Sequence, residues 1–225
     1  MAEITLTKGQ RERYNKIIGK NYFNNFQKYI IKLGLFEELD VSWYARPGFE
    51  DLQMLNIFKG LKRNLDISYY ADPKFNYKQM DEILEGLEKG IDVSIYSNSN
   101  LNYSTMAFVK NYLLKNEDKT IFDNLNLLDF NDLQITEFEI GFKKNLDISV
   151  YANPKFDYKQ MQQIRKGLMR NLDITIYANE DFDWQQMAEI RLGLKNEVDV
   201  SYYLNPSIGW KEMQRIRLEL ENNTK

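Results

Sequence analysis

A 26-residue period limits this chain more than any other feature, because a unit that recurs at fixed spacing must stack on its own copies to bury an apolar face. A Gly-Leu pair recurs at Gly34, Gly60, Gly86, Gly167 and Gly193, with Gly141-Phe142 in the same frame; four of the five spacings between these glycines are 26 and the middle one is 55. That gap is one 26-residue unit plus one of 29. Independent columns keep the frame: Asp40, Asp66, Asp92, Asp147, Asp173 and Asp199, and the tyrosines four residues after each. Methionines fall at 54, 80, 106, 161, 187 and 213, and Ile135 fills the missing place once the three-residue insertion is counted. The units open at Phe23, Phe49, Phe75, Leu101, Phe130, Phe156, Phe182 and Ile208, so eight of them cover nearly everything after a short N-terminal segment.

Each unit carries the start of a helix. Asp157 with Gln160 has the spacing of a capping box, repeated by Asn76 with Gln79 and by Asp183 with Gln186. The preceding Phe75, Phe156 and Phe182 stand five residues before Met80, Met161 and Met187, the spacing of a hydrophobic staple. Met80, Ile83 and Leu87 then continue one apolar stripe until Gly90, or Asn64, Asn145 and Asn171, offers the left-handed conformation that ends helices. This predicts helices of about 12–14 residues. The glycines of the Gly-Leu pairs lie inside them at a cost of roughly 1 kcal/mol each relative to Ala, which points to close packing against the neighbouring unit.

The second half of a unit, such as Leu65-Asp66-Ile67-Ser68-Tyr69-Tyr70-Ala71, reads in two ways. Asp66 caps a one-turn helix, or Leu65, Ile67 and Tyr69 alternate on a short strand. The short helix is favoured. It makes the chain a mostly α, eight-unit solenoid of long helix plus short helical turn, whereas the strand makes it an α/β horseshoe. Asp72-Pro73, Asn153-Pro154 and Asn205-Pro206 turn the chain into the next unit. Residues 1–22 hold five basic residues against two acidic ones and read as a basic capping segment, and residues 23–225 as a single repeat domain with a degenerate, insertion-bearing unit at about 107–135.

Units such as NLDISYYADPKFNYKQMDEILEGLE and NLDISVYANPKFDYKQMQQIRKGLMR resemble a short repeat of proteins from gut Firmicutes, many of them encoded on phages and conjugative elements. The resemblance covers about 200 residues. It implies the repeat architecture and a bacterial or mobile-element origin, and it brings no activity, catalytic residue or cofactor with it. Residues 107–135 depart from it, having lost the Gly-Leu pair and the Leu-Asp-Val-Ser-Tyr run.

Composition narrows the chemistry further. Hydrophobic residues make up 43% and charged residues 28%, which is globular. No apolar run approaches the roughly 18–20 residues that cross a bilayer, and the start lacks the apolar stretch of a signal peptide. Cysteine and histidine are both absent, which removes thiolate nucleophiles, the commonest general base and the usual zinc ligands. The Asp column is explained by capping, since carboxylates one helix spacing apart, roughly 9–10 Å, neither share a cation nor act as an acid–base pair. The Tyr column and the Met-Ile-Leu stripe read as core. Neither a phosphate loop nor a cofactor fingerprint is found, so we expect no enzyme, cofactor or metal.

Two charged features remain. Arg165, Arg191 and Arg217 share one column and form a possible anion-binding face, but residues 141–225 hold 13 basic and 12 acidic side chains, so pairing within the stack is the simpler expectation. Residues 117–139 carry seven acidic side chains against Lys119 alone, in a chain of net charge −3. Apolar Ile121, Phe122, Leu125, Leu127 and Leu128 lie among them. Apolar anchors within an acidic rim suit a protein or ribonucleoprotein partner with a basic surface, and Glu117, Asp118, Phe122, Asp123, Leu125 and Asp129 are the candidate contacts. The expected function is therefore a non-enzymatic, protein-binding solenoid. Its specific version is a phage or mobile-element inhibitor of a bacterial defence nuclease complex, of the anti-CRISPR type, acting in the cytoplasm of the host cell. A nucleic-acid-binding protein using the Arg column and a carboxylate-based enzyme are the alternatives.

Overall fold

The computed structural model describes residues 4–19, 23–115, 119–123 and 125–223. These residues form nine α-helices and no strand, so the helical solenoid is the observed class and the strand-bearing horseshoe is not. The helices are α1 (Lys8–Ile18), α2 (Asn25–Phe36), α3 (Asp51–Lys62), α4 (Tyr77–Glu88), α5 (Tyr103–Lys115), α6 (Asp132–Lys143), α7 (Tyr158–Leu168), α8 (Trp184–Lys195) and α9 (Trp210–Asn223). They fall into two compact bodies, Met1–Lys119 with α1–α5 and Thr120–Lys225 with α6–α9. Within each body consecutive helices pack side by side.

Helix starts follow the sequence signals. In α4 the Asn76 side chain accepts from the amides of Lys78 and Gln79, while Gln79 Oε1 accepts from the Asn76 amide. The same reciprocal box opens α2, α6, α7 and α8, and also α1, where Thr7 and Gln10 form it. Phe49, Phe75, Phe156 and Phe182 are buried ahead of their caps, five residues before methionines that are fully buried, and Phe130 likewise before buried Ile135. At the other end Glu38, Asn64, Gly90, Asn145, Asn171 and Glu197 all take positive φ. The following amide then donates back to the column glycine, as Leu65 does to the Gly60 carbonyl at 3.0 Å.

The ambiguous half-unit is a one-turn 3-10 helix: Val41–Trp43, Ile67–Tyr69, Val93–Ile95, Ser149–Tyr151, Ile174–Ile176 and Val200–Tyr202. Each column Asp accepts from the amide two residues on, Asp66 from Ser68 at 3.1 Å for example. In all but the last of these turns the Ser or Thr hydroxyl donates to the same oxygen. These bonds, side chain before backbone, hold the carboxyls of Asp40 and Asp66 below the usual carboxylate range.

The tyrosine that closes each turn explains the glycine. All six column tyrosines are fully buried, and each hydroxyl donates to the carbonyl fourteen residues earlier, Tyr70 to Asn56 at 3.1 Å and Tyr151 to Glu137 at 3.2 Å. That carbonyl lies one helical turn before the column glycine. A Cβ on Gly60 would stand 2.0 Å from the Tyr70 hydroxyl, and 1.9–2.0 Å separations recur in all six units. The close contact expected against a neighbouring unit is thus made inside the unit, by its own tyrosine.

Contact between units runs through glutamine. The capping-box Gln uses its oxygen on its own helix and its amide on the next unit: Gln27 Nε2 donates to the Phe49 carbonyl at 3.0 Å, Gln134 to Phe156 and Gln160 to Phe182, each at 2.7 Å. Gln53, Gln79 and Gln186 make the same bond to Phe75, Leu101 and Ile208. In α5 the place belongs to Thr105, and the glutamine clasp is interrupted ahead of the irregular unit. The basic N-terminal segment joins the array by the same chemistry, Gln10 Nε2 donating to the Leu35 carbonyl at 2.7 Å.

Candidate functional site

The irregular stretch after α5 is less foreign to the repeat than its sequence. Of its candidate contacts, Glu117 and Asp118 lie outside the described residues. From Thr120 onward, in the second body, there are two one-turn helices, Thr120–Phe122 and Leu127–Asp129. The second is the repeat's capped turn with a changed alphabet. Asn126 takes the place of the column Asp and accepts from the Leu128 amide at 3.2 Å, and Leu127 is buried like Ile67 or Val93. Phe130 then serves as both the end of the turn and the apolar residue ahead of the α6 cap, its ring edge-on to Phe138 at 5.1 Å.

This alignment isolates one anomaly. Every other capped turn has a hydroxyl residue after its Val or Ile, namely Ser42, Ser68, Ser94, Ser149, Thr175 or Ser201, and all of them are exposed. Here that place holds Leu128, 46% exposed, and nearby Leu133 near the start of α6 is 53% exposed. Ile121 and Leu125 are half-buried. Asp123, Asp129 and Asp132 are exposed around them, Asp129 accepting from Asn126 Nδ2 at 3.0 Å, and the sequence has no Lys or Arg between residues 120 and 142. Phe122 is buried rather than exposed. Asp123, Leu128, Asp129 and Leu133 are thus exposed, and Leu125 half-buried, within eleven residues of chain. Glu137 does not join the acidic rim: it is buried, and Arg165 Nε donates to its Oε2 at 2.6 Å.

That ion pair belongs to a diagonal between neighbouring helices, in which a residue meets the one 28 places later. Lys110 Nζ reaches Glu82 Oε2 at 2.6 Å and also Glu85. Arg165 meets Glu137, Arg191 Nε donates to Gln163 Oε1 at 3.0 Å, and Arg217 Nε donates to Glu189 Oε2 at 2.8 Å. At the equivalent places early in the chain stand Ile30 and Phe58, both buried. The three column arginines are buried as well, at 8%, 9% and 7% exposure, so the column does not form an open basic face.

The described residues hold no group of three or more acidic side chains placed to bind a metal ion, and no helix long and apolar enough to cross a membrane. Comparison with protein-family models, with curated proteins and with solved structures returned no match.

Proposed function

We propose that this chain is a non-enzymatic protein-binding repeat protein whose contact surface is the leucine-studded, acidic face formed by Asp123, Leu125, Leu128, Asp129 and Leu133. The observation that carries this reading is Leu128, a large apolar side chain exposed where six sister turns keep a Ser or Thr. The solvated hydroxyl serves the stability of each turn, so a leucine in its place calls for a different reason, and removal of an apolar side chain from water by a partner supplies one. The absence of Lys and Arg between residues 120 and 142 favours a basic partner and fast, salt-dependent association. The narrower version, an inhibitor of a bacterial defence nuclease complex, rests on the sequence resemblance alone.

Leu128→Ser tests the proposal by restoring the repeat's own residue. The variant keeps its helical circular dichroism and its melting temperature. The protein captured from nuclease-treated bacterial lysate by the wild type, identified by mass spectrometry, is then lost or weakened at least tenfold in surface plasmon resonance, chiefly through faster dissociation. Asp123→Lys with Asp129→Lys instead slows association and flattens its salt dependence. Full binding by both variants refutes the assignment of this face.

A further inference from the structure

Of the three column arginines, two carry their counter-charge with them and one does not. Arg217 donates to Glu189 on the preceding helix and to Glu221 four residues along its own, at 2.8 and 2.6 Å. Arg165 donates to Glu137, and its next nitrogen meets the Met169 sulfur at 3.6 Å. For Arg191 both places have changed: Gln163 stands where the others have Glu137 and Glu189, and Lys195 stands where Arg217 has Glu221. Gln163 is the sole hydrogen-bond partner of Arg191 among the described residues. A guanidinium offers five N–H donors, so one bond to a neutral amide leaves most of the Arg191 fork without a protein acceptor and with no carboxylate bonded to it among the described residues.

The surroundings add positive charge. Lys166 lies on α7 three residues beyond Gln163, its Nζ donating to Gln162 Oε1 at 2.7 Å, and Arg170 follows just past the end of α7, its side chain making no hydrogen bond or ion pair to the described residues. Burial first, then the fields of Arg191 and Arg165, with that of Arg170 behind them, pull Lys166 below the ordinary lysine value. Arg191 is likewise pulled down by burial, whereas in Arg217 the bonds to Glu189 and Glu221 outweigh burial and raise it. The two carboxylates that reach this cluster, Glu137 and Glu189, are already committed to Arg165 and Arg217. Cations at the end of α7 offset its dipole, but Arg191 lies within α8, where that explanation does not apply.

We propose that Arg191, Lys166 and Arg170 form an anion site on the seam between α7 and α8 that takes a phosphate group, Arg191 supplying the buried fork and the other two the outer cations. The planar fork matches two phosphate oxygens, and three uncompensated cations suit a dianion better than a single carboxylate. The phosphate belongs to the free ion or to a small phosphomonoester.

The test uses the full chain, with inorganic phosphate and adenosine monophosphate as probes and chloride at equal ionic strength as control. At several times its dissociation constant, phosphate raises the wild-type melting temperature by about 2–4 °C over chloride. Gln163→Glu gives Arg191 an internal carboxylate: it melts higher than wild type without phosphate and no longer responds to it. Arg170→Gln, an exposed change that keeps the fold, weakens phosphate binding severalfold in isothermal titration calorimetry. Tighter binding of the monophosphate assigns a phosphomonoester, and binding of inorganic phosphate alone assigns the free ion. A wild-type response to phosphate no larger than to chloride overturns the site. So does an undiminished response in Gln163→Glu, or, should that variant fail to fold, an unchanged affinity in Arg170→Gln.

Discussion

Replacing Gly60 by alanine should destabilise the protein even though alanine is the better helix former. In an exposed helix interior the exchange gains about 1 kcal/mol. Here the new Cβ would stand 2.0 Å from the Tyr70 hydroxyl and 2.7 Å from Ile67 Cγ2. The phenol must leave the Asn56 carbonyl, a buried hydrogen bond worth about 1 kcal/mol with a further desolvation cost of about 1–3 kcal/mol for a hydroxyl left unpaired. Crowding of a packed core adds about 1–3 kcal/mol, and the net loss comes to about 2–6 kcal/mol after the propensity gain is subtracted. Tyr70→Phe alone costs about 1 kcal/mol, because only the hydroxyl bond goes. In the double variant the atom nearest the new Cβ on that ring is Tyr70's former Cζ, 3.3 Å away, which needs only a small shift. The second substitution therefore relieves the first, and the double variant is more stable than Gly60→Ala by about 1–2 kcal/mol. Equilibrium urea denaturation of the four proteins, followed by circular dichroism, measures the cycle. Additive effects, with no coupling between positions 60 and 70, would refute the reasoning and return the glycine to a contact between units.

Three other expectations follow from the same contacts. Gln53→Ala removes one bond to the Glu50 amide and another to the Phe75 carbonyl, so a loss of about 1–3 kcal/mol in chemical denaturation is expected. Glu189→Gln takes one of two carboxylates from buried Arg217, Glu221 remaining, and should cost about 1–3 kcal/mol, part of it recovered when Arg217 is also changed to Met. The six column phenols are all pushed well above the ordinary tyrosine value, burial being the first cause. A raised native value means stability that is whole below the unfolded value of about 10 and declines as pH rises above it. Tyrosinate absorbance from these residues should thus appear together with loss of helix in an alkaline titration; its appearance in a fully helical protein would contradict their burial.

Most of the helical scaffold was legible because caps, staples and left-handed helix ends are local: Asn76 with Gln79, Phe75 with Met80, and Asn64 each announce themselves within six residues. What lay beyond that range was harder. The capping box accepts Glu or Gln at its last place, yet this chain uses Gln at 27, 53, 79, 134, 160 and 186. A carboxylate cannot donate, so that preference was a signal for a second partner, the carbonyl 22 residues on. The glycine column announced a close approach without naming the tyrosine ten residues later, since the distance depends on how the one-turn helix folds back. In the proposed surface, Asp123 and Asp129 were singled out by charge and Leu125 by its apolar character among acids. Leu128 stood out only once Asn126 was seen to cap a turn, and Glu137 was removed from the acidic face by an arginine 28 places away.

The two kinds of contact between units leave different marks on how such an array can grow. The glutamine clasp takes hold of a main-chain carbonyl and is indifferent to the unit it is offered. The diagonal is selective, because Glu137, Gln163 and Glu189 each meet a particular arginine. Excision of the 26 residues carrying α7 would set Arg191 opposite Glu137, a sound match, whereas excision of those carrying α8 would leave Arg217 facing Gln163. Units of this chain are thus heritable as interlocked neighbours rather than as loose beads, and duplications that keep such pairs together are the ones a descendant lineage can retain.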